Sequence, residues 1–451
     1  MTDKELILQL QEQVAYLTLQ NKMLEEKVML LLTQLQRRSI QKDSHNSSLP
    51  PSRDLVARSK NLRSPSERKS GGQPGHKGNT LEMSSNPDKI IDLKSSFCNN
   101  CGRGLRGAVF TLNATRQVIE LPPIIPIYEE YRQYSCRCPH CEAQQISDFP
   151  TGVNAPIQYG SSVETLISYF SVYQYIPFRR LQNLFSMVFS MPISEGSVGN
   201  ILERSAKKCM GVYQIIKQQI EKSDVVGADE TGAKVDGTKW WIWVWQNLQN
   251  TFLTTSNNRG FQTIKSVWKD GLPKVTLVSD RWSAQLKTKV QNHQLCLAHL
   301  LREVIFLDET ENLPFAASFK AFIVSIFNSR KILSTAYLPD SLDAIAFENT
   351  LNNLLSVSIE EARYPNTAKF QASMIKYRNY ILPCLYNLEI PPDNNGSERA
   401  IRNVKVKQKV SGQFKSGPIG FCVIRSVIDT LRKRNLDVLF HLNQIIRLQP
   451  E

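Results

Sequence analysis

Two aspartates and one glutamate stand where a folded chain can gather them. Asp229 closes the apolar run VVGA, and Asp280 closes VTLVS. In open α/β sheets the carboxyl ends of strands are where ligands collect. Glu398 lies in PPDNNGSERAIRNVKVKQK, at the point where a helix is expected to begin. Three carboxylates suit hard cations such as Mg²⁺ or Mn²⁺. Two such ions about 3.5–4 Å apart can activate an attacking oxygen and stabilise a leaving one in phosphoryl transfer. Each acid also has a plainer reading. Asp229 and Asp280 could be turn-formers after strands, and Glu398 an anion favoured by the positive end of its helix.

The charge beyond Glu398 is one-sided. Arg399, Arg402, Lys405, Lys407, Lys409, Lys415, Arg425, Arg432, Lys433 and Arg434 face a single acid, Asp429. Arg399, Arg402, Lys405 and Lys409 follow at spacings of three and four, so on a helix they share one face and can meet DNA phosphates. A merely solvated basic face is the alternative. The whole chain of 451 residues carries a formal charge of +14, which points to a polyanionic partner, nucleic acid before an anionic membrane.

A second group of chemical residues is Cys98-x-x-Cys101 with Cys138-x-x-Cys141. Two knuckles of this kind supply four thiolates to one tetrahedral Zn²⁺, with short strands expected in TRQVIELPPI and YEEYRQYSC. Cys136 is a spare thiol or an alternative ligand. Cys296-x-x-His299 places two donors on one helix face. A lone pair makes a poor metal site, so a buried helix contact is expected there.

These residues need elements to hold them. Residues 1–37 carry a heptad seam of Leu10, Leu17, Leu24 and Leu31 alternating with Ile7, Val14, Asn21, Val28 and Leu35. The seam predicts a two-stranded parallel coiled coil with Asn21 fixing its register. An amphipathic helix packed on its own protein is the alternative. Residues 38–88 read as a basic flexible linker rich in Ser, Pro, Gly, Lys and Arg. Residues 89–150 are the expected zinc-ribbon domain. Residues 151–222 read as helices broken at Met191-Pro192, with Ser194 as an N-cap, forming either a helix-turn-helix or a plain hairpin. Residues 223–451 begin with four strands (VVGAD, KWWIWVWQ, TFLTTS, VTLVSD) and continue as helices, with a helical insertion at about 285–390. Trp241, Trp243 and Trp245 alternate as core along one strand face. No apolar run is long enough to span a membrane, and the N-terminus lacks a secretory pattern. The paired cysteines then place the chain in a reducing cytoplasm, associated with the nucleoid.

Several segments resemble those of insertion-sequence-66 family transposases. They are GADETGAKVDGTKWWIWV, TLVSDRWSA, HQLCLAHLLRE and NNGSERAIRNVKVKQKVSGQF, preceded by SHNSSLPPSRD, GGQPGHKG and FPTGVNAPIQYG. The resemblance implies an α/β catalytic core of ribonuclease-H-like fold whose Asp-Asp-Glu triad falls at Asp229, Asp280 and Glu398. It implies DNA contact by Arg402 and a basic family position at Lys409. It further implies a DNA transposase that cleaves element ends and transfers the strand into target DNA. Its expected partners are the element's terminal inverted repeats, target DNA, a second copy joined through residues 3–37, and accessory proteins of the element. A DNA-binding protein without catalysis, or a nuclease that cuts but never joins, remains the alternative.

Overall fold

The computed structural model describes residues 3–39, 42–43, 45–47, 75, 81–415 and 417–447. Most of the expected basic linker therefore lies outside the described residues. The heptad segment is one helix, α1 (Asp3–Ser39), and its seam residues Leu10, Val14, Leu17, Leu24 and Val28 are all exposed.

Between residues 81 and 160 regular structure is sparse. Strands β1 (Ser135–Arg137) and β2 (Gln144–Ile146) pair antiparallel around the second cysteine knuckle. The segment TRQVIELPPI forms no strand, contrary to its β-rich composition. Its Val118, Ile119 and Leu121 stay exposed, so it has no packed face to hold a ladder against.

The helical region that follows comprises α2 (Ser161–Ser168), a π-helical turn (Tyr169–Tyr173), α3 (Phe178–Val188) and α4 (Glu195–Glu221). Ser194 caps α4 as expected, its side chain accepting from the Ser197 N–H. Leu181, Phe185, Val198 and Ile201 form a small core between α3 and α4. Farther along, α4 joins the main core through Cys209, Tyr213, Ile216 and Ile220, and Tyr213 donates to the Leu253 carbonyl at 2.8 Å. The expected boundary at residue 222 thus does not separate two cores.

The central sheet has five strands in the order β5-β4-β3-β6-β7. They are β3 (Val225–Val235), β4 (Thr238–Gln246), β5 (Thr251–Ser256), β6 (Leu272–Ser279) and β7 (Val290–Leu295). Strands β3, β4 and β5 are antiparallel neighbours, while β3, β6 and β7 run parallel. The short helices α5 (Phe261–Val267) and α6 (Ser283–Leu286) supply the crossovers. Sequence patterning anticipates four of these strands and misses β7, placing residues 290–295 in the helical insertion instead. The polar VQNHQL hides a buried strand because its polar groups are used internally. Gln294 accepts from the Cys384 N–H at 2.8 Å and donates to the Ile381 carbonyl at 3.2 Å.

The insertion proper begins after β7. It contains α7 (Leu297–Glu311), α8 (Pro314–Ile332), α9 (Leu342–Leu355), α10 (Pro365–Lys376) and α11 (Pro383–Tyr386), packed around Phe315, Phe319, Phe322 and Phe370. Three C-terminal helices close the molecule: α12 (Asn395–Ser411), α13 (Ile419–Lys433) and α14 (Val438–Arg447). Helix α13 seals the open edge of β5. The Leu253 and Thr251 N–H groups, which have no further strand to bond, donate to Ser426 Oγ (2.9 Å) and Thr430 Oγ1 (3.1 Å).

Candidate active site

The register of the parallel pair sets the first two acids side by side. Val225, Val226 and Gly227 pair with Thr276, Leu277 and Val278. Carrying that register two residues on brings Asp229 abreast of Asp280, on the same side of the sheet. Asp229 accepts the Glu230 N–H at 2.8 Å. Asp280 accepts the Trp282 N–H at 2.9 Å, which folds the turn after β6 over its own carboxylate.

Helix α12 delivers the third acid from far along the chain. Its entry is tied to the sheet: Asn394 Nδ2 donates to the Ala228 carbonyl at 2.7 Å, and the Asn394 N–H meets Cys296 Sγ at 3.2 Å. The Leu297 N–H donates to the Pro392 carbonyl at 2.9 Å, locking the start of α7 to the same turn. Contact is so close that a Cβ on Gly227 would lie 2.7 Å from Ser397 Oγ and 2.8 Å from Asn394 Oδ1. A glycine at this point of β3 is what lets the helix that carries Glu398 approach Asp229.

The electrostatics follow from this gathering. Burial pushes the Asp229 carboxyl well above the usual range, and the charges of Asp280, Glu230 and Glu398 push it further. Glu398 Oε1 is buried and makes no hydrogen bond among the described residues. It lies 3.6 Å from His299 Nδ1, also buried without a hydrogen bond, and 3.8 Å from Arg302 Nη1. The repulsion felt at Asp229 and the orphaned Glu398 oxygen are what a bound divalent cation would relieve, though the three carboxylates do not cluster as closely as Glu398 does with Cys296 and His299.

Two features were not read from the sequence. The first is Glu230, a fourth acid whose side chain is 1% exposed. Burial raises its pKa, as does Asp280, while Arg259 opposes the rise. Arg259 Nε and Nη2 approach its Oε1 at 3.0 and 2.9 Å, and Gln285 donates to its Oε2 at 3.2 Å. The alternation of a strand turns it away from the Asp229 side, so the adjacent pair Asp229-Glu230 serves two faces. The second is the Cys296/His299 pair. The pair is the buried contact expected, Cys296 meeting the Asn394 N–H, and what the sequence did not show is that it also lies beside Glu398, the three donor atoms within 4.8 Å of one another. Burial lifts the Cys296 thiol to about 12 and lowers the His299 pKa.

A cleft beside Asp280 is walled by Trp282, His299, Glu303, Lys42 and Asn46. The last two come from the linker. Asn46 is buried and donates to Glu309 on α7 at 2.8 Å, and Lys42 sits over the Phe306 ring.

Arg399, Arg402, Lys405 and Lys409 are all exposed along α12. Lys405 is also engaged with the protein, donating to the Gly232 carbonyl at 2.7 Å. Of the other basic residues beyond Glu398, Arg425 and Lys433 are bonded inside the fold, while Lys415, Arg432 and Arg434 are exposed.

The cysteine knuckles each form their own turn. The Cys98 thiol is held below its usual range by the Cys101 and Asn100 N–H groups, and Cys138 by those of His140 and Cys141. That is the environment a thiolate ligand needs. The two pairs do not converge, since among the described residues only Cys296, His299 and Glu398 form a group of three clustered donors. Cys136, the spare, is exposed on β1.

The carboxylates of β3, the β6 end and α12 lie near enough for their charges to act on one another at Asp229. The model of the Transposase IS66 family matches residues 156–418, and the chain belongs to that family. The match spans the sheet, the insertion and α12, and stops just before α13. No curated protein matches the chain. Among the described residues no helix is long and apolar enough to cross a membrane.

Proposed function

We propose that this protein is a DNA transposase of the Asp-Asp-Glu type, with a ribonuclease-H-like core, acting through Asp229, Asp280 and Glu398. The observation that carries the reading is the tethering of α12 to β3, which brings Glu398 towards Asp229, inside β3 rather than at its end as the sequence suggested, and Asp280, just past the end of β6, and leaves the Glu398 Oε1 without a hydrogen bond. These three carboxylates would hold Mg²⁺ or Mn²⁺, which when bound supplies Lewis-acid charge at the attacking and leaving oxygens.

The chain's own residues do the positioning. The Trp282 N–H fixes the Asp280 carboxylate, and the Asn394 and Cys296 contacts fix the helix start below Glu398. Arg399, Arg402 and Lys409 present cations along the exposed side of α12, with Lys405 at its centre, to receive DNA phosphates. In the first reaction water attacks a phosphorus at the element end. The P–O3′ bond breaks, leaving a 3′-hydroxyl and a 5′-phosphate. In the second, that 3′-hydroxyl attacks a target phosphorus and displaces the target's own 3′-oxygen. Both reactions use one site, so no covalent protein–DNA intermediate is needed.

The remaining parts serve assembly. The exposed heptad seam of α1 supports a parallel homodimer. The lowered thiol pKa values of Cys98 and Cys138 support Zn²⁺ binding by Cys98, Cys101, Cys138 and Cys141 once the two knuckles close on one ion.

The test is to incubate the protein with DNA carrying the ends that flank its own gene, with and without Mg²⁺, beside Asp229→Asn. Metal-dependent nicking or joining, lost in the variant while end binding persists, is expected. Cleavage retained by Asp229→Asn overturns the assignment of the acids. Tight end binding with no cleavage, even with the element's other proteins added, favours a binding protein instead.

A further inference from the structure

Helix α7 begins on a turn of the same build as the two cysteine knuckles. Cys296 is its N-cap, and His299 follows at the spacing at which Cys101 follows Cys98. Cys296 Sγ accepts the His299 N–H, as Cys98 accepts the Cys101 N–H and Cys138 the Cys141 N–H. It accepts a second N–H, from Asn394, at 3.2 Å. Backbone N–H groups aimed at a sulfur favour the thiolate that a metal needs. Unlike the knuckle sulfurs, this one is sealed in the fold, with Cys296 only 1% exposed.

Alone, the Cys296/His299 pair is a poor metal site; Glu398 makes it three donors. His299 Nδ1 and Glu398 Oε1 are buried, 3.6 Å apart, and neither makes a hydrogen bond among the described residues. Arg302 Nη1, 3.8 Å from the same oxygen, stands beyond hydrogen-bond reach. The Cys296 sulfur, a His299 ring nitrogen and a Glu398 oxygen all lie within 4.8 Å of one another. Around a tetrahedral ion with bonds of about 2.0–2.3 Å, ligand atoms stand about 3.3–3.6 Å apart. The His299–Glu398 pair is at that spacing, and the other distances have to close by no more than about 1.2 Å. Cys296 and His299 also line the cleft beside Asp280, which leaves a fourth position for water.

We propose that Cys296, His299 and Glu398 form a separate site for Zn²⁺, and that Zn²⁺ bound there withdraws Glu398 from Asp229 and Asp280. Thiolate, imidazole and carboxylate are the donors Zn²⁺ takes, whereas Mg²⁺ takes oxygen and has no use for Cys296. On binding, the Cys296 proton leaves to solvent, and the sulfur, the ring nitrogen and the carboxylate oxygen each give a lone pair to the ion. Two buried polar atoms without hydrogen-bond partners cost free energy that a bare contact does not offset, and an ion between them satisfies both. The site itself stands apart from any reaction. Its inhibitory consequence rests on the transposase reading, because a carboxylate held by Zn²⁺ is kept from the Mg²⁺ reaction.

The test uses the full chain, dialysed against free Zn²⁺ held by a chelating buffer, and reads Zn²⁺ bound per chain. The thiols of Cys98, Cys101, Cys138 and Cys141 contribute alike to every variant, so the difference from wild type is the signal. Wild-type protein is expected to hold an additional equivalent that Cys296→Ser and His299→Asn each lose. Glu398→Gln, which keeps the shape of the side chain, should weaken that equivalent about tenfold or more. Asp280→Asn, which alters the triad but not this site, should keep it. Co²⁺ in place of Zn²⁺ adds a readout that a folding defect does not mimic: the thiolate-to-cobalt absorption should fall in Cys296→Ser by the share of a single sulfur. Should Cys296→Ser fail to fold, His299→Asn and Glu398→Gln decide. Equal Zn²⁺ content in wild type and these variants overturns the site. Loss of the equivalent in Asp280→Asn places the ion at the triad and overturns it as well. In the cleavage assay with saturating Mg²⁺, the free Zn²⁺ that fills the site should slow wild-type cleavage about tenfold or more, and leave Cys296→Ser at its own Zn²⁺-free rate. Zn²⁺ bound at the site without effect on wild-type cleavage overturns the withdrawal of Glu398. If wild-type protein cleaves no DNA with Mg²⁺ alone, the transposase reading falls, and the Zn²⁺ content still decides the site.

Discussion

Helices α12 and α13 are neighbours in sequence and both carry arginine and lysine, yet they use charge in opposite ways. On α12 the outward residues Arg399, Arg402 and Lys409 are exposed. On α13 Arg425 is buried. Its guanidinium is paired with Asp429 at 2.8 Å, bonded to the Tyr175 hydroxyl at 2.9 Å, and stacked on Tyr173. Lys433 donates to Gln246 Oε1 and to the Asn247 and Asn250 carbonyls at 2.8, 2.6 and 3.0 Å, fastening α13 to the β4–β5 turn. One helix leaves its charge exposed to solvent and the other binds its charge within the fold. A count of basic residues cannot tell the two apart; only the partner of each cation can.

The comparison breaks most visibly at Arg425. Arg425→Met leaves Asp429 buried without its cation, and a loss of about 3–5 kcal/mol in unfolding free energy is expected by denaturant titration. Arg425→Met with Asp429→Leu should recover much of that loss, because no lone charge remains. An unaltered midpoint in the single variant would place Arg425 with the surface cations after all. Lys433→Met, which strands three acceptors, should cost about 1–3 kcal/mol in the same assay. Neither loss should depend on DNA.

On α12 the expected pattern inverts. Arg402→Ala should leave stability within about 0.5 kcal/mol, yet weaken DNA binding and lower the salt dependence of log K by about one. An unchanged salt slope would remove Arg402 from the DNA surface. The smallest effect sharpens the contrast within α12 itself. Lys407 points inward, donating to the Ser171 carbonyl at 3.3 Å, and burial pulls its pKa from 10.5 to about 8. Between those pH values the unfolded chain binds more protons than the folded one, so stability rises with pH through that window and is lost as pH falls through about 8. Lys407→Met should reduce this rise but leave the part due to Lys433, which burial also lowers to about 8, whereas Arg402→Ala should preserve all of it.

The same distinction marks what the sequence could reveal. Asp280 is legible because a β-branched run ends at it, Asp229 because an apolar run precedes it (though β3 continues through it to Val235), and Glu398 because a polar turn precedes its helix. Glu230 is hidden by adjacency: beside Asp229 it reads as one acidic spot, and only strand alternation assigns it to Arg259. The His299–Glu398 approach joins α7 to α12 across the insertion, a juxtaposition no local pattern encodes. Strand β7 escapes notice because its Gln294 bonds backbone groups of the insertion, so polarity there signals burial rather than a loop. The reverse error occurs at TRQVIELPPI, where β-type residues find no partner strand.

The seal on β5 also sets an order of events during synthesis. Thr251 and Leu253 leave the ribosome first, and the hydroxyls that receive their N–H groups follow 179 and 173 residues later. Until α13 arrives, the nascent sheet has a free edge able to pair with any passing strand. Glu398 is also made late, so the third acid and the guard on the edge reach the fold close together. A polypeptide halted before residue 419 would therefore hold all three acids yet lack the seal. Such a fragment is expected to aggregate rather than cut.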